Sequence, residues 1–390
     1  MRIARVLFSL LLAVIMVLPA ISTATAAPDR GNEKSNMQQM IPDEVIVKFK
    51  DGTSKNTIAS VHKQNGKLKK RSTKMGFDVI KLKGKTVQEA IKEYKALPQV
   101  EYVEPNYRFY TQWTPNDSKF TQQYGPQISK APAAWDIEKG DSSVRIAIVD
   151  TGVDDSHPDL KGKVINGYDF VDDDNDPNDE QGHGTHCAGI AAAITNNNIG
   201  IAGMAPNASI YAVRVLDENG GGSLDDVAEG IRHAADNANV VSLSLGSLFG
   251  SNTLKDAVNY AWNSGAVVVA AAGNNGFFFK NYPAGYNNAI AVAATDSQDQ
   301  IASFSTWGRW VDIAAPGVDI LSTVPNGGYE SYSGTSMATP HVAGLAGLLA
   351  SQGRNNQEIR DAIENTADSI SGTGFRFQNG RINAKDAVNY

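Results

Sequence analysis

Ser143-Val-Arg-Ile-Ala-Ile-Val-Asp-Thr-Gly152 is a near-continuous apolar run that ends abruptly in a polar turn. A strand with one wet face would alternate. This one is apolar on both faces and reads as a buried parallel strand. Val240–Leu245, Ala266–Ala272 and Ala289–Ala293 read the same way. Helical patterns at 183–194, 223–237 and 252–264 separate the runs. Strands alternating with helices predict an α/β domain: a doubly wound, mostly parallel sheet flanked by helices. Ligands of such sheets bind beyond the carboxyl ends of the strands. Asp150 and Asn274 each stand just past a strand end, on that edge.

Two further stretches are rich in small residues. Ser333-Gly-Thr-Ser-Met-Ala-Thr-Pro-His-Val-Ala-Gly344 opens a buried helix. Thr335 and Ser336 are expected to cap it, with Pro340 in its first turn. Ser336 then faces unpaired N–H groups and the positive end of the helix dipole. Gly182-His-Gly-Thr-His-Cys-Ala-Gly189 places His183 at the head of a second such helix. Each residue alone has a bland reading: a cap, a packed histidine, a turn aspartate. Together, Ser336, His183 and Asp150 supply the nucleophile, base and orienting carboxylate of acyl transfer. Asn274, in Ala272-Gly-Asn-Asn-Gly276, supplies a side-chain donor for an oxyanion, and the Ser336 backbone N–H a second.

Asp150-Thr-Gly152, His183-Gly-Thr-His186 and Gly334-Thr-Ser-Met-Ala-Thr-Pro340, in that order, resemble the subtilisin superfamily of serine proteases, and within it the calcium-stabilised thermitase branch. Trp113-Thr-Pro-Asn-Asp117, Gly184–Ile190 and Ile363–Asp368 extend the resemblance over 113–390. Subtilisin is the standard example of both this triad order and the asparagine donor, so those roles are carried over from it. An α/β-hydrolase runs Ser, Asp or Glu, His around Gly-x-Ser-x-Gly, and is excluded. The resemblance implies that substrate adds as a β-strand against Ser244, Leu245 and Gly246, with Ala271, Ala272 and Gly273 as the other wall. Both walls are small and uncharged, so the expectation is broad endopeptidase cleavage after large apolar or aromatic residues.

Asp169, Asp172, Asp173, Asp174, Asp176 and Asp179 crowd one loop. The bland reading is a solvated, self-repelling segment; calcium would relieve the repulsion. The resemblance implies Ca2+ at Asp169, Asp172, Asp174, Asp176 and Asn178. It implies a stronger site at Asp117, Asp159 and Asn197 with carbonyls of Ile194, Ile199 and Ile201. A weaker calcium or monovalent site involves Asp312 with carbonyls of Ala284, Tyr286 and Ala289. Cys187 is the single cysteine, so no intrachain disulfide can form, and metal bound to the native state would offset that. Cys187 is expected to be a buried free thiol, His186 and His341 hydrogen-bonded packing residues, and Met337 a target of oxidation.

The net charge of −7 conceals an asymmetry. Residues 27–112 hold 17 Lys or Arg against 10 Asp or Glu, and 113–390 hold 16 against 32. An acidic body disfavours nucleic acid, and a basic segment ahead of it suits an intramolecular partner. Residues 42–107 read as a β-α-β-β-α-β, ferredoxin-like α+β unit if 66–72 adds a strand. They resemble the inhibitor-type propeptide of the same family, with His62 on a helix surface. Arg2 and Arg5, the apolar run Val6–Leu18 and Ala24-Thr-Ala26 read as a secretory signal peptide rather than a membrane anchor. The expected precursor is thus signal 1–26, propeptide 27–112 and catalytic domain 113–390, with residues 107–112 in the cleft until self-cleavage. The expected product is a secreted, extracellular, monomeric enzyme acting on polypeptides. The alternative is a non-catalytic, calcium-dependent binding protein on a dead protease fold; possession of all four catalytic groups weighs against it.

Overall fold

The computed structural model describes residues 40–108 and 113–390. The signal-peptide reading and most of the tail at 107–112 fall outside them. The described residues form two compact units, one on each side of that break.

The first unit has the expected order: β1 (Met40–Phe49), helix Lys55–Asn65, β2 (Gly66–Ser72), β3 (Phe77–Leu82), helix Val87–Lys95 and β4 (Val100–Tyr107). Its antiparallel sheet runs β2-β3-β1-β4. Both helices start where side chains satisfy their free N–H groups. Ser54 Oγ accepts from Thr57 N, and Thr86 and Glu89 form a capping box. The core is Val45, Val47, Ile80, Ala90 and Tyr94 under the helices.

His62 corrects the sequence reading. It is buried rather than on the surface, with Nε2 2.8 Å from Asp78 Oδ2 and Nδ1 3.0 Å from the Tyr94 hydroxyl. Arg71 clamps Asp78 with two bonds of 2.6 Å. Burial holds the His62 pKa below its usual value although Asp78 pulls it upward. Helical periodicity could not show this, because both partners lie on other elements.

The second unit is built on a seven-stranded sheet, ordered β11-β10-β9-β8-β5-β7-β6. The strands are β5 (Arg145–Asp150), β6 (Val164–Asp169), β7 (Ser209–Arg214), β8 (Val240–Leu243), β9 (Val267–Ala271), β10 (Ile290–Thr295) and β11 (Ile313–Pro316). All six pairings are parallel. The four apolar runs form its centre, β10-β9-β8-β5. Strands β6, β7 and β11 were not foreseen; β6, at the edge, is only half-buried and lacks a continuous apolar run. Side chains alternate across β5. Ile146 and Ile148 join one core layer with helices His183–Ala192 and Thr335–Ser351. Ala147 and Val149 join the other with helices Leu224–Asn237 and Asn252–Asn263. A hairpin of β12 (Ile320–Val324) and β13 (Gly328–Tyr332) leads into the helix that carries Ser336.

The small residues of that helix admit other chains. A Cβ on Gly344 would lie 2.5 Å from Met204 Cβ, and one on Gly347 2.7 Å from Ile146 Cδ1. Among the described residues no helix is long and apolar enough to cross a membrane.

Candidate active site

Asp150 is the last residue of β5 and is fully buried. Its Oδ1 accepts from Thr151 N at 2.8 Å and from His183 Nδ1 at 2.7 Å. His183 is the first residue of its helix, and Gly184 lets that helix lie against the β5 turn. A Cβ on Gly184 would meet Gly152 O at 2.1 Å. The helix start is held by Asp179, which the sequence reading placed only in the acidic run. Its Oδ1 accepts from Gly182 N at 2.7 Å and its Oδ2 from Thr185 N at 2.8 Å. Burial alone would lower the His183 pKa; the Asp150 charge and hydrogen bond outweigh it and raise the pKa above the usual value. The imidazole is thereby oriented through Nδ1 and primed to accept a proton at Nε2.

Ser336 is the second residue of helix Thr335–Ser351. The expected capping differs. Gly334 is the N-cap and no side chain of the helix caps it. Asn274 does so from 61 residues away: its Oδ1 accepts from Thr335 N at 2.9 Å and Thr335 Oγ1 at 3.0 Å. That fixes which end of the amide is free, and the free end is the donor, Nδ2. The space where a Cβ on Gly334 would sit is 3.5 Å from Asn274 Nδ2 and 3.6 Å from Ser336 N. Both nitrogens thus border the same small space beside Gly334, and donors placed there could stabilise an oxyanion.

Pro340 is the sixth residue of the helix rather than in its first turn. Lacking an N–H, it leaves the carbonyl four residues back, Ser336 O, without its helical partner. Ser244 Oγ fills that place at 2.8 Å, and Cys187 Sγ approaches it at 3.4 Å. The Ser336 hydroxyl is donated to Ser244 O at 3.0 Å. Ser336, His183, Asn274, Gln181 and Met337 line one depression. Cys187 is a buried free thiol as expected, and burial pushes its pKa well up.

A larger groove adjoins the site. Ser244, Leu245 and Gly246 line it, with Leu216, Val227 and Leu254 behind them. The other expected wall is not part of its lining: Ala271 and Ala272 are almost wholly buried at the end of β9, and Gly273, at φ +104°, is half-buried. Leu216 and Val227 had no sequence signal beyond their apolar character.

The expected metal donors separate into three environments. Asp117 and Asp159 are buried and no Lys or Arg among the described residues bridges either. Burial raises the Asp117 pKa, and the Asp159 charge adds to it. Asn197 Nδ2 donates to Asp159 Oδ1 at 2.8 Å, and Ile194 N donates to Asp159 O at 2.7 Å. Gly200 packs directly against the carboxylate: a Cβ there would lie 1.8 Å from Asp159 Oδ2 and 2.2 Å from the Tyr329 hydroxyl. Backbone N–H groups of Asn196 and Asn197 also donate to Asp117, and Ile201 N and the Tyr329 hydroxyl to Asp159, so the two carboxylates are hydrogen-bonded yet lack a cationic side chain; buried carboxylate oxygens of this kind are the donor type Ca2+ takes. In the second group, Asp169 and Asp172 each lie 2.7 Å from Arg214 Nη1, so a buried guanidinium already serves them. Asp174, Asp176 and their neighbour Asn178 hold no salt bridge among the described residues. In the third, Asp312 accepts from Ala291 N at 2.8 Å and Arg360 Nη2 at 3.1 Å. Burial lifts its pKa to about 6 against the pull of Arg360. Tyr286 O accepts from Ala289 N at 3.1 Å, and Ala284 is buried nearby. The sequence reading missed both arginines, since each is remote along the chain.

His186 and His341 are hydrogen-bonded packing residues, as read. His186 Nε2 bonds Glu330 O at 3.1 Å and its ring stacks on Tyr332; His341 Nδ1 donates to Met337 O at 2.9 Å. Burial pushes each pKa down to about 4. The native state keeps both neutral, while unfolded histidine charges near 6.5. Stability is therefore fully present above about pH 6.5 and falls as pH drops toward 4, by up to about 3 kcal/mol per histidine. Urea midpoints of a Ser336→Ala protein should fall steeply between pH 6.5 and 4.5, and His341→Gln should flatten that slope. A midpoint constant over this range would refute the assignment.

The geometry agrees with the comparisons. The subtilase family model matches residues 141–382, and the fervidolysin N-terminal prodomain model matches 26–106. The chain is 56% identical over 355 residues to a thermophilic serine proteinase of Bacillus sp. (strain AK1), covering 90% of this chain and 88% of that protein. It is 64% identical over 280 residues to thermitase of Thermoactinomyces vulgaris, covering 71% of this chain and all of that protein. A solved protease structure from Pseudoalteromonas arctica PAMC 21717 superposes with a TM-score of 0.66 at 32% identity, over 71% of this chain and 99% of that one.

Proposed function

Because this chain belongs to the subtilase family of serine proteinases and carries a family prodomain, we propose that it is a secreted, calcium-stabilised endopeptidase using Asp150, His183 and Ser336. The observation that carries the reading is the Asp150–His183 bond of 2.7 Å opening onto the depression shared by Ser336 and Asn274. His183 Nε2 takes the Ser336 proton as Oγ attacks the peptide carbonyl. Asp150 holds the imidazolium that results. The negative oxygen is met by Asn274 Nδ2 and Ser336 N. His183 then protonates the leaving amine, and water hydrolyses the acyl-enzyme by the reverse sequence. The substrate backbone pairs with Ser244–Gly246, and the apolar groove beyond favours large apolar side chains, giving broad specificity. Asp117, Asp159 and Asn197, with the carbonyls of Ile194, Ile199 and Ile201, are the favoured calcium donors; calcium there would neutralise two buried carboxylates. Residues 27–112 act as an intramolecular inhibitor that the enzyme removes itself.

A serine-directed phosphonate tests the reading without a known substrate. Incubation with the purified protein should place one adduct on Ser336, located by peptide mass. Absence of an adduct there would favour the non-catalytic, calcium-dependent binding protein.

A further inference from the structure

Three residues beyond Asn274 the chain reads Phe277-Phe-Phe-Lys280. These rings are 61%, 55% and 62% exposed, and Phe375 beside them is 60% exposed. Single exposed apolar residues are ordinary; a contiguous aromatic patch is not. The rings form a ladder. Phe279 to Phe278, Phe278 to Trp307 and Trp307 to Phe375 have centroid separations of 4.7, 5.8 and 5.7 Å.

The patch is presented on a fixed backbone. Gly276 N donates to Phe304 O at 2.7 Å and Trp307 N to Phe277 O at 3.0 Å. The indole N–H groups of Trp307 and Trp310 reach Gly276 O and Phe278 O at 3.1 and 2.9 Å. Little entropy is therefore lost when something settles on the rings. Arg376 lies 5.2 Å over the Trp307 ring, and Lys280 and Arg309 adjoin the aromatic segments along the chain, the Lys280 ammonium donating to Gly285 O. No carboxylate occurs in 273–280, 303–310 or 371–378. The patch is a cationic, aromatic island on an acidic unit.

It stands close along the chain to the groove: Tyr282, three residues past Phe279, lines that groove with Ser244, Leu245, Gly246 and Ser247. Ser247 and Tyr282 exchange two backbone hydrogen bonds of 2.8 Å, joining the segment Ser244–Gly246 that follows β8 to the segment after Phe279. Gly246 lies so close to Asn281 that a Cβ would meet its Nδ2 at 2.2 Å.

The geometry points to an accessory binding surface for the substrate polypeptide itself: Phe277–Phe279, with Trp307 and Phe375, hold an apolar, aromatic-bearing stretch of the chain being cleaved, away from the scissile bond. This rests on the endopeptidase reading. A lipid surface is the weaker occupant, because the patch stands three residues from a groove read as holding polypeptide. A second contact on one chain raises its effective concentration at the cleft, so long unfolded substrates gain and short peptides do not.

The test is the triple variant Phe277→Ser, Phe278→Ser, Phe279→Ser in the full-length, self-matured protein. Its KM for reduced, alkylated lactalbumin should rise about tenfold with kcat held, while kcat and KM for a short chromogenic peptide stay unchanged. Equal KM in wild type and variant overturns the inference. So does an unchanged KM accompanied by lost sedimentation with anionic vesicles, which assigns the patch to lipid, or by a lost dimer. If the triple variant is inactive on the short peptide, Phe279→Ser alone should raise the lactalbumin KM about threefold, and a flat result overturns it. A wild-type protein inert toward both substrates would instead sink the endopeptidase reading.

Discussion

Ser336→Ala is expected to lower turnover of a peptide amide by about 10^6-fold, the magnitude known for removing the same nucleophile in subtilisin. The size follows from the whole apparatus serving one atom. Asp150 orients His183, Asn274 Nδ2 and Ser336 N border one small space beside Gly334, and Ser244 and Cys187 hold the Ser336 carbonyl that Pro340 leaves unpartnered. Without Oγ there is no covalent path, and what remains comes from binding and the two donors. The hydroxyl is donated to Ser244 O, so it must leave that acceptor before His183 can take its proton. The same variant should accumulate as a precursor that still carries residues 27–112. Intact mass and N-terminal analysis of a protease-free preparation checks both points; spontaneous maturation of the variant would show that another group, or another protease, makes the cut.

Calcium removal should produce the largest change in stability. Asp117 and Asp159 are buried carboxylates without a cationic side-chain partner among the described residues, and Gly200 packs directly against the second of them. An ion present at roughly a thousand times its dissociation constant stabilises the native state by about 4 kcal/mol. For a domain of this size that is a thermal midpoint shift of roughly 10 °C. The measurement is a thermal scan of the Ser336→Ala protein, which cannot digest itself, with calcium and with a chelator. Asp159→Asn should lower the midpoint in calcium and abolish most of the difference. Asp312→Asn should leave the difference intact, since Arg360 already compensates that carboxylate. Superimposable scans with and without chelator would dispose of the site.

The chain announced its chemistry more clearly than its contacts. The apolar run before Asp150, the small-residue helices behind His183 and Ser336, and the turn around Asn274 are local patterns. Each reports burial or a helix start within about ten residues. Their order along the chain then restricts the family. The half-buried edge strand β6 stayed hidden because no continuous run marks it. His62 was misplaced because Asp78 and Tyr94 sit on other elements.

What folding alone settled is which distant group satisfies each buried polar atom. Asn274 caps the helix of Ser336 across 61 residues, and Ser244 reaches the Ser336 carbonyl across 92. Arg214 and Arg360 took up carboxylates that in the sequence looked like metal donors. Periodicity and capping carry no information on such pairings. An unpaired buried group costs about 1–3 kcal/mol wherever its partner lies along the chain, so only three-dimensional packing decides which partner it finds. The sequence by itself determined the buried sheet and the order of Asp150, His183 and Ser336; the tertiary structure decided how those side chains are held, which carboxylates lack a cationic partner, and that an aromatic ladder stands on the surface.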